Sequence, residues 1–164
     1  MGVTSCGKTS VGEALAARLG VDFVEGDRLH PDGNVAKMSA GIPLTDEDRW
    51  PWLTLVGDSL RGNEGRIASC SALKRVYREY IRQAARRPVA FVFLDGSAEL
   101  FAQRIAARKG HFMPPSLLAS QLATLERPSP DEFAKAFDVA QPVDEIADEA
   151  AQWLEGCEGS WRNA

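Results

Sequence analysis

The segment Gly2-Val3-Thr4-Ser5-Cys6-Gly7-Lys8-Thr9 is a full match to G-x-x-x-x-G-K-[ST], and it constrains the chain more than any other stretch. Its glycines let the backbone turn N–H groups inward around phosphate oxygens, and a helix beginning directly behind the loop adds positive potential there. Ser10 to Leu19 supplies that helix: Val11, Ala14, Leu15 and Leu19 recur at helical spacing, and Gly20 ends it. In such a loop Lys8 reaches the outer phosphates and the Thr9 hydroxyl is placed to ligate magnesium. The candidate phosphate-binding residues are therefore Gly2, Val3, Thr4, Ser5, Cys6, Gly7, Lys8 and Thr9. Taken alone, the pattern also fits a glycine-rich turn that merely caps a helix, so the remainder of the chain has to decide.

Beyond this first helix the chain alternates between strand and helix. Val21 to Val24 is a short apolar strand candidate, Arg66 to Ala72 a second, and Val89 to Leu94 the strongest in the chain. Between the first two, Thr45 stands three residues before Asp48 as a capping box, opening a helix through Trp52, Leu53 and Val56. Leu73 to Arg87, Ser97 to Arg108, Leu117 to Leu125 and Val143 to Leu154 read as further helices, with a weak strand at Ala136 to Val139. Lys109 to Pro115 is a basic loop interrupted by Gly110 and prolines. The alternation predicts an α/β domain whose mostly parallel sheet is covered by helices, because parallel strands need crossover connections.

A phosphate loop of this kind normally leaves a buried parallel strand, yet only Met1 precedes Gly2. A central strand pairs with two neighbours and buries a run of apolar side chains worth roughly 1.5 to 3 kcal/mol each, against a whole-domain stability of about 5 to 15 kcal/mol. The expectation is that the first strand is missing from this sequence, that Met1 is an internal methionine, and that the natural chain begins some residues earlier.

Composition narrows the class of partner. In 164 residues, 19 Lys and Arg against 23 Asp and Glu give a net charge of −4, so no overall basic field would collect nucleic acid. No apolar run approaches the ~18 residues of a membrane helix, and the first residues lack the pattern of a signal peptide, which predicts a cytoplasmic protein without membrane contact. Cys6, Cys70 and Cys157 are odd in number and far apart, so neither a disulfide framework nor a zinc site is expected.

Asp27 sits at the carboxyl end of the first strand candidate, where α/β sheets keep their ligands. A carboxylate there can accept a hydroxyl proton or hold a magnesium-bound water during phosphoryl transfer; it can equally cap a turn. Around it run Gly26-Asp27-Arg28-Leu29-His30-Pro31, Asn34, Lys37-Met38, Gly41-Ile42-Pro43-Leu44 and Asp46-Glu47-Asp48-Arg49-Trp50-Pro51-Trp52-Leu53. Later come Cys70-Ser71-Ala72-Leu73-Lys74 with Tyr77-Arg78 and Arg82, Arg108-Lys109-Gly110-His111-Phe112-Met113, and Gln121 with Leu125-Glu126 and Pro128. Through these motifs, over about residues 1 to 142, the chain resembles the gluconate kinases of the P-loop kinase superfamily. The resemblance implies a nucleoside-monophosphate-kinase-like fold in a single domain, with a helical substrate-binding insertion at about 28–62 and a mobile lid at about 108–118. It implies ATP-dependent phosphorylation of D-gluconate at its 6-hydroxyl, with Mg2+, and family members are often homodimers.

The resemblance also implies an acceptor pocket formed by Asp27, His30, Lys37, Arg49 and Lys74, with His111 from the lid. Arg49 can grip a carboxylate with two parallel bonds, or spend its charge on Asp46 within its own helix. Trp50 and Trp52 read as packing residues. Arg104 and Arg108 stand four apart on one helix, a repulsive spacing that an anion such as the transferring phosphate would relieve. Lys8, Asp27 and Arg108 are thus the candidate catalytic residues, with Arg104 and Arg108 on the nucleotide. Lys74, Arg78, Arg82 and Arg86 form a basic column read mostly as solvated surface, only Lys74 reaching the pocket. Cys6 is read as a filler in the loop, although a helix N-terminus can activate a thiol. Two competing readings stand beside this one: a kinase for another small acceptor such as shikimate, and a non-catalytic nucleotide-binding protein.

Overall fold

The computed structural model describes residues 1–62, 65–107 and 115–157. In chain order these form α1 (Lys8–Leu19), β1 (Asp22–Val24), a 3-10 turn (Gly26–Leu29), α2 (Asp32–Ser39), α3 (Asp46–Ser59) and β2 (Arg66–Ala68). They continue as α4 (Arg75–Ala85), β3 (Phe91–Asp95), α5 (Ala98–Ala107), α6 (Pro115–Thr124), β4 (Ala134–Asp138) and α7 (Val143–Gly156).

The strands are parallel, as the alternation predicts, but among the described residues they form two pairs and not one continuous sheet. β1 pairs with β2, Phe23 opposite Ile67, and β3 pairs with β4, Phe93 opposite Ala136. Met1 and Gly2 bridge the pairs: the Leu94 amide donates to the Met1 carbonyl at 2.9 Å, and the Gly2 amide donates to the Ser71 carbonyl at 3.2 Å. Below that bridge lies an apolar cavity of about 390 Å³, lined by residues that include Val11, Leu15, Val56, Ile67, Ile81 and Val92. Two buried clusters flank it. One gathers Val3, Leu15, Leu94, Phe101, Phe137 and Ile146; the other gathers Trp52, Leu53, Val56, Tyr77, Ile81 and Phe91.

Local chemistry sets the boundaries. The capping box that opens α3 is present: the Thr45 hydroxyl accepts from the Asp48 amide at 3.3 Å and the Asp48 carboxylate accepts from the Thr45 amide at 2.9 Å. β2 is shorter than the Arg66 to Ala72 expected, because the backbone leaves extended geometry and Ala72 adopts φ 43°. That irregular turn delivers Lys74 to the start of α4, where it stands as N-cap. α2, which periodicity leaves unassigned, is held by buried Asn34, whose amide donates to the Asp48 carbonyl at 2.7 Å.

One member of the basic column, Arg78, departs from its expected solvation, whereas Arg86 is exposed and Arg82 partly so. Arg78 is 0% exposed and pairs with the equally buried Glu132 through bonds of 2.5 and 2.9 Å. Its remaining donors reach the Ala72, Leu73 and Glu126 carbonyls at 3.0 to 3.3 Å, so the guanidinium satisfies a turn that the strand has abandoned. A periodic row of like charges cannot reveal that one member has a partner 54 residues away.

Candidate active site

The phosphate loop has the conformation that its glycines permit. Gly7 takes φ 99° immediately before α1, and Gly2 takes φ 145°. A Cβ on Gly2 would stand 2.9 Å from the Leu94 carbonyl oxygen, so the loop enters pressed against β3. Lys8 turns back, its ammonium donating to the Val3 carbonyl at 2.9 Å and the Gly2 carbonyl at 3.3 Å. The Thr4 amide donates to Gln121 Oε1 at 2.6 Å, which ties the loop to α6. Cys6 is 1% exposed, its sulfur beside Gly2, which fits the filler role.

One residue that the motifs did not single out stands at the centre of this corner. Glu25 follows β1 directly, and its carboxylate accepts from the Thr9 hydroxyl at 2.5 Å and from the Ser69 hydroxyl. Burial works to raise its pKa, but the bonds from Ser69, Thr9 and the Asp27 backbone outweigh that and hold it below the ordinary carboxylate range. The carboxyl ends of β1 and β2 meet closely enough that only glycine fits at Gly26, where a Cβ would fall 1.9 Å from the Ser69 carbonyl oxygen. Asp27 follows on the 3-10 turn with an exposed side chain. Strand-end position, the signal that found Asp27, marks Glu25 equally well.

The corner suits magnesium arriving with a nucleotide. Among the described residues no cluster of three or more His, Cys, Asp or Glu is arranged to cage an ion. One hydroxyl from Thr9 and one carboxylate from Glu25 leave most of an octahedral shell to phosphate oxygens and water, as magnesium prefers.

The end of the 3-10 turn, α2, α3 and the start of α4 carry the other expected residues. His30 stacks on buried Trp52 with centroids 4.0 Å apart, and its Nδ1 lies 3.3 Å from the Asn34 amide nitrogen. Burial lowers the His30 pKa, favouring the neutral ring. Trp52 also donates from its indole N–H to the Gly26 carbonyl at 2.8 Å, so it packs as expected and, in doing so, props both His30 and the turn that carries Asp27. Trp50 packs edge-on against Tyr77.

Lys37 is bonded to both Asp48 oxygens at 2.7 Å, which staples α2 to α3. Arg49 donates to the Leu44 carbonyl at 2.6 Å and lies 3.7 Å from Asp46; Lys74 reaches both Asp46 oxygens at 3.0 Å. Arg49 and Lys74 thus converge on the Asp46 carboxylate, while Lys37 is engaged with Asp48. Arg104 donates to the Cys6 carbonyl at 3.4 Å and the Val139 carbonyl at 2.5 Å, which puts it against the loop's outer side. Arg108 and His111, together with the rest of 108–114, lie outside the described residues.

The Thr9–Glu25 corner thus adjoins the turn that carries Asp27, His30 stands close enough to Asp27 and Arg49 to sense both charges, and Arg49 meets Lys74 at Asp46, so phosphate-binding chemistry, a carboxylate pair and two cations follow one another through neighbouring residues. Comparison with known proteins places the chain among small-molecule kinases. Residues 4–155 match a family model described as shikimate kinase. The chain is 55% identical to a gluconokinase of Gluconobacter oxydans over 80% of this chain and 76% of that protein. It is 47% identical to the thermosensitive gluconokinase of Escherichia coli, over 80% and 72% respectively. The crystal structure of a gluconokinase from Sinorhizobium meliloti superposes with a TM-score of 0.90 at 52% identity, covering 98% of this chain and 91% of that one.

Proposed function

The chain belongs to the gluconokinase family of P-loop kinases, and from that premise we propose that it transfers the γ-phosphoryl group of ATP to the 6-hydroxyl of D-gluconate. The products are 6-phospho-D-gluconate and ADP. The observation that carries this reading is the convergence of Arg49 and Lys74 at Asp46, with Arg49 and Asp27 both close enough to act on His30, because an aldonic acid brings one carboxylate and a distant hydroxyl.

In this mechanism the loop amides and the α1 N-terminus hold the phosphates, and Lys8 exchanges its two loop carbonyls for phosphate oxygens. Arg49 and Lys74 take the acid's carboxylate, which turns the far end of the substrate toward Asp27. Asp27 accepts the hydroxyl proton as the new O–P bond forms and the bond from the γ-phosphorus to the ADP oxygen breaks. Thr9 and Glu25 would hold magnesium, which when bound supplies charge neutralisation at the β- and γ-oxygens. Arg104 and the expected lid group Arg108 serve the nucleotide side, and His111, from the same expected lid, serves the acceptor. Catalysis is then positioning plus electrostatics.

The family model's name keeps a shikimate acceptor in view, since one scaffold serves several substrates. The deciding experiment is coupled ADP release from the purified protein with MgATP and a panel of gluconate, shikimate, glycerate and nucleosides. Turnover with gluconate alone is the expected result; a preference for shikimate would replace the reading, and ATP binding without any turnover would move the chain to a non-catalytic role.

A further inference from the structure

We infer that Asp46 is a positioning residue for the acceptor acid, acting through Lys74 and Arg49; the inference rests on the gluconate reading. Asp46 opens α3, and three groups from two helices point at its carboxylate. Lys74 donates to both oxygens at 3.0 Å, the Tyr77 hydroxyl donates to one of them, and Arg49 Nη1 lies 3.7 Å away. The hydrogen bond from Tyr77, followed by that from Lys74, holds Asp46 in its charged form.

Tyr77 is the fixed wall of this cluster. Its ring is 2% exposed, braced by Trp50, and both cations lie against it, Lys74 Nζ at 5.3 Å and the Arg49 guanidinium at 5.5 Å from the centroid. Two cations gathered on one ring repel each other, and the long lysine side chain has many rotamers to lose in being held there. A carboxylate between them removes both difficulties before substrate arrives. One negative and two positive groups leave a single unit of positive charge, which matches an acceptor bearing one carboxylate.

Charge counting alone predicts the opposite of positioning, so a single substitution separates the two. If Asp46 merely competed with the substrate for Lys74 and Arg49, replacing it by asparagine would raise the positive charge and tighten gluconate binding. If it positions them, Asp46→Asn raises KM for gluconate about tenfold or more, the scale of one lost charge-assisted hydrogen bond, with KM for ATP unchanged. The preference for gluconate over its uncharged amide shrinks in parallel. Because Lys74 is one of the two groups through which Asp46 acts, adding Asp46→Asn to a Lys74→Ala background raises KM by a clearly smaller factor than the same substitution in the unmodified protein. Tyr77→Phe, which keeps the wall and removes one donor, shifts KM for gluconate in the same direction by a smaller factor. An unchanged or lower KM in Asp46→Asn, or effects that multiply in the double variant, overturns the inference. Absence of gluconate turnover in the unmodified protein would instead overturn the functional reading beneath it.

Discussion

The phosphate loop separates two regions of opposite character. Behind it, between the two strand pairs, is the apolar cavity of about 390 Å³ whose walls are largely aliphatic side chains. In front of it is the candidate acceptor site, where polar groups already have partners: Lys37 with Asp48, Lys74 with Asp46, Thr9 with Glu25, Asn34 with the Asp48 carbonyl. The first region works by non-directional burial, so neighbouring aliphatics substitute for one another at modest cost. The second works by paired charges at defined distances, where one exchanged atom changes what the site can hold. Stability and specificity should therefore respond to different substitutions.

The largest effect is expected in the candidate acceptor site. Asp27→Asn keeps the shape of an exposed side chain but removes the proton acceptor, and kcat should fall about 10²- to 10⁴-fold with little change in melting temperature. Kinetics and thermal denaturation on the same sample check both halves; a large loss of stability would mean that the turn after β1 is not independent of the core.

The converse test is made in the cavity wall. Ile81 is 1% exposed, and Ile81→Ala should destabilise the fold by about 2 to 5 kcal/mol in urea denaturation while leaving KM for gluconate within about twofold below the transition. A KM that moved with stability would erase the distinction between the regions.

The smaller effect concerns the pair that lies between them. Arg78 holds the Glu132 carboxyl down at about 2, well under its ordinary 4.5. A carboxyl with a lowered pKa in the folded state gives stability that is complete above about pH 4.5 and disappears as pH falls toward about 2, here about 3 kcal/mol for a side chain 3% exposed. Denaturation across that interval should show the loss, and Glu132→Gln should flatten it at the expense of stability near neutrality. An equal acid slope in the variant would assign the loss to other carboxyls.

Much of this molecule was legible in the chain itself. The phosphate loop with the helix behind it, the strand-end position of Asp27 and the Thr45 capping box are written in residues near one another in sequence, and local backbone preferences suffice to realise them. Periodicity and spacing also placed most helices to within a few residues. What only tertiary structure decided are the pairings across long separations. Arg78 became a buried partner of Glu132, 54 residues away, although its spacing marked it as surface. Tyr77 and Asp46, 31 apart, joined Arg49 and Lys74 in one cradle, while Lys37 left it for Asp48. Nor did alternation alone reveal that the strands among the described residues would stand as two pairs joined through Met1 and Gly2. The physical reason is one of range: helix propensity, caps and glycine conformations act over a turn or two of chain, whereas a charged side chain finds its partner only after the fold has brought distant segments together and removed the water that would otherwise serve it.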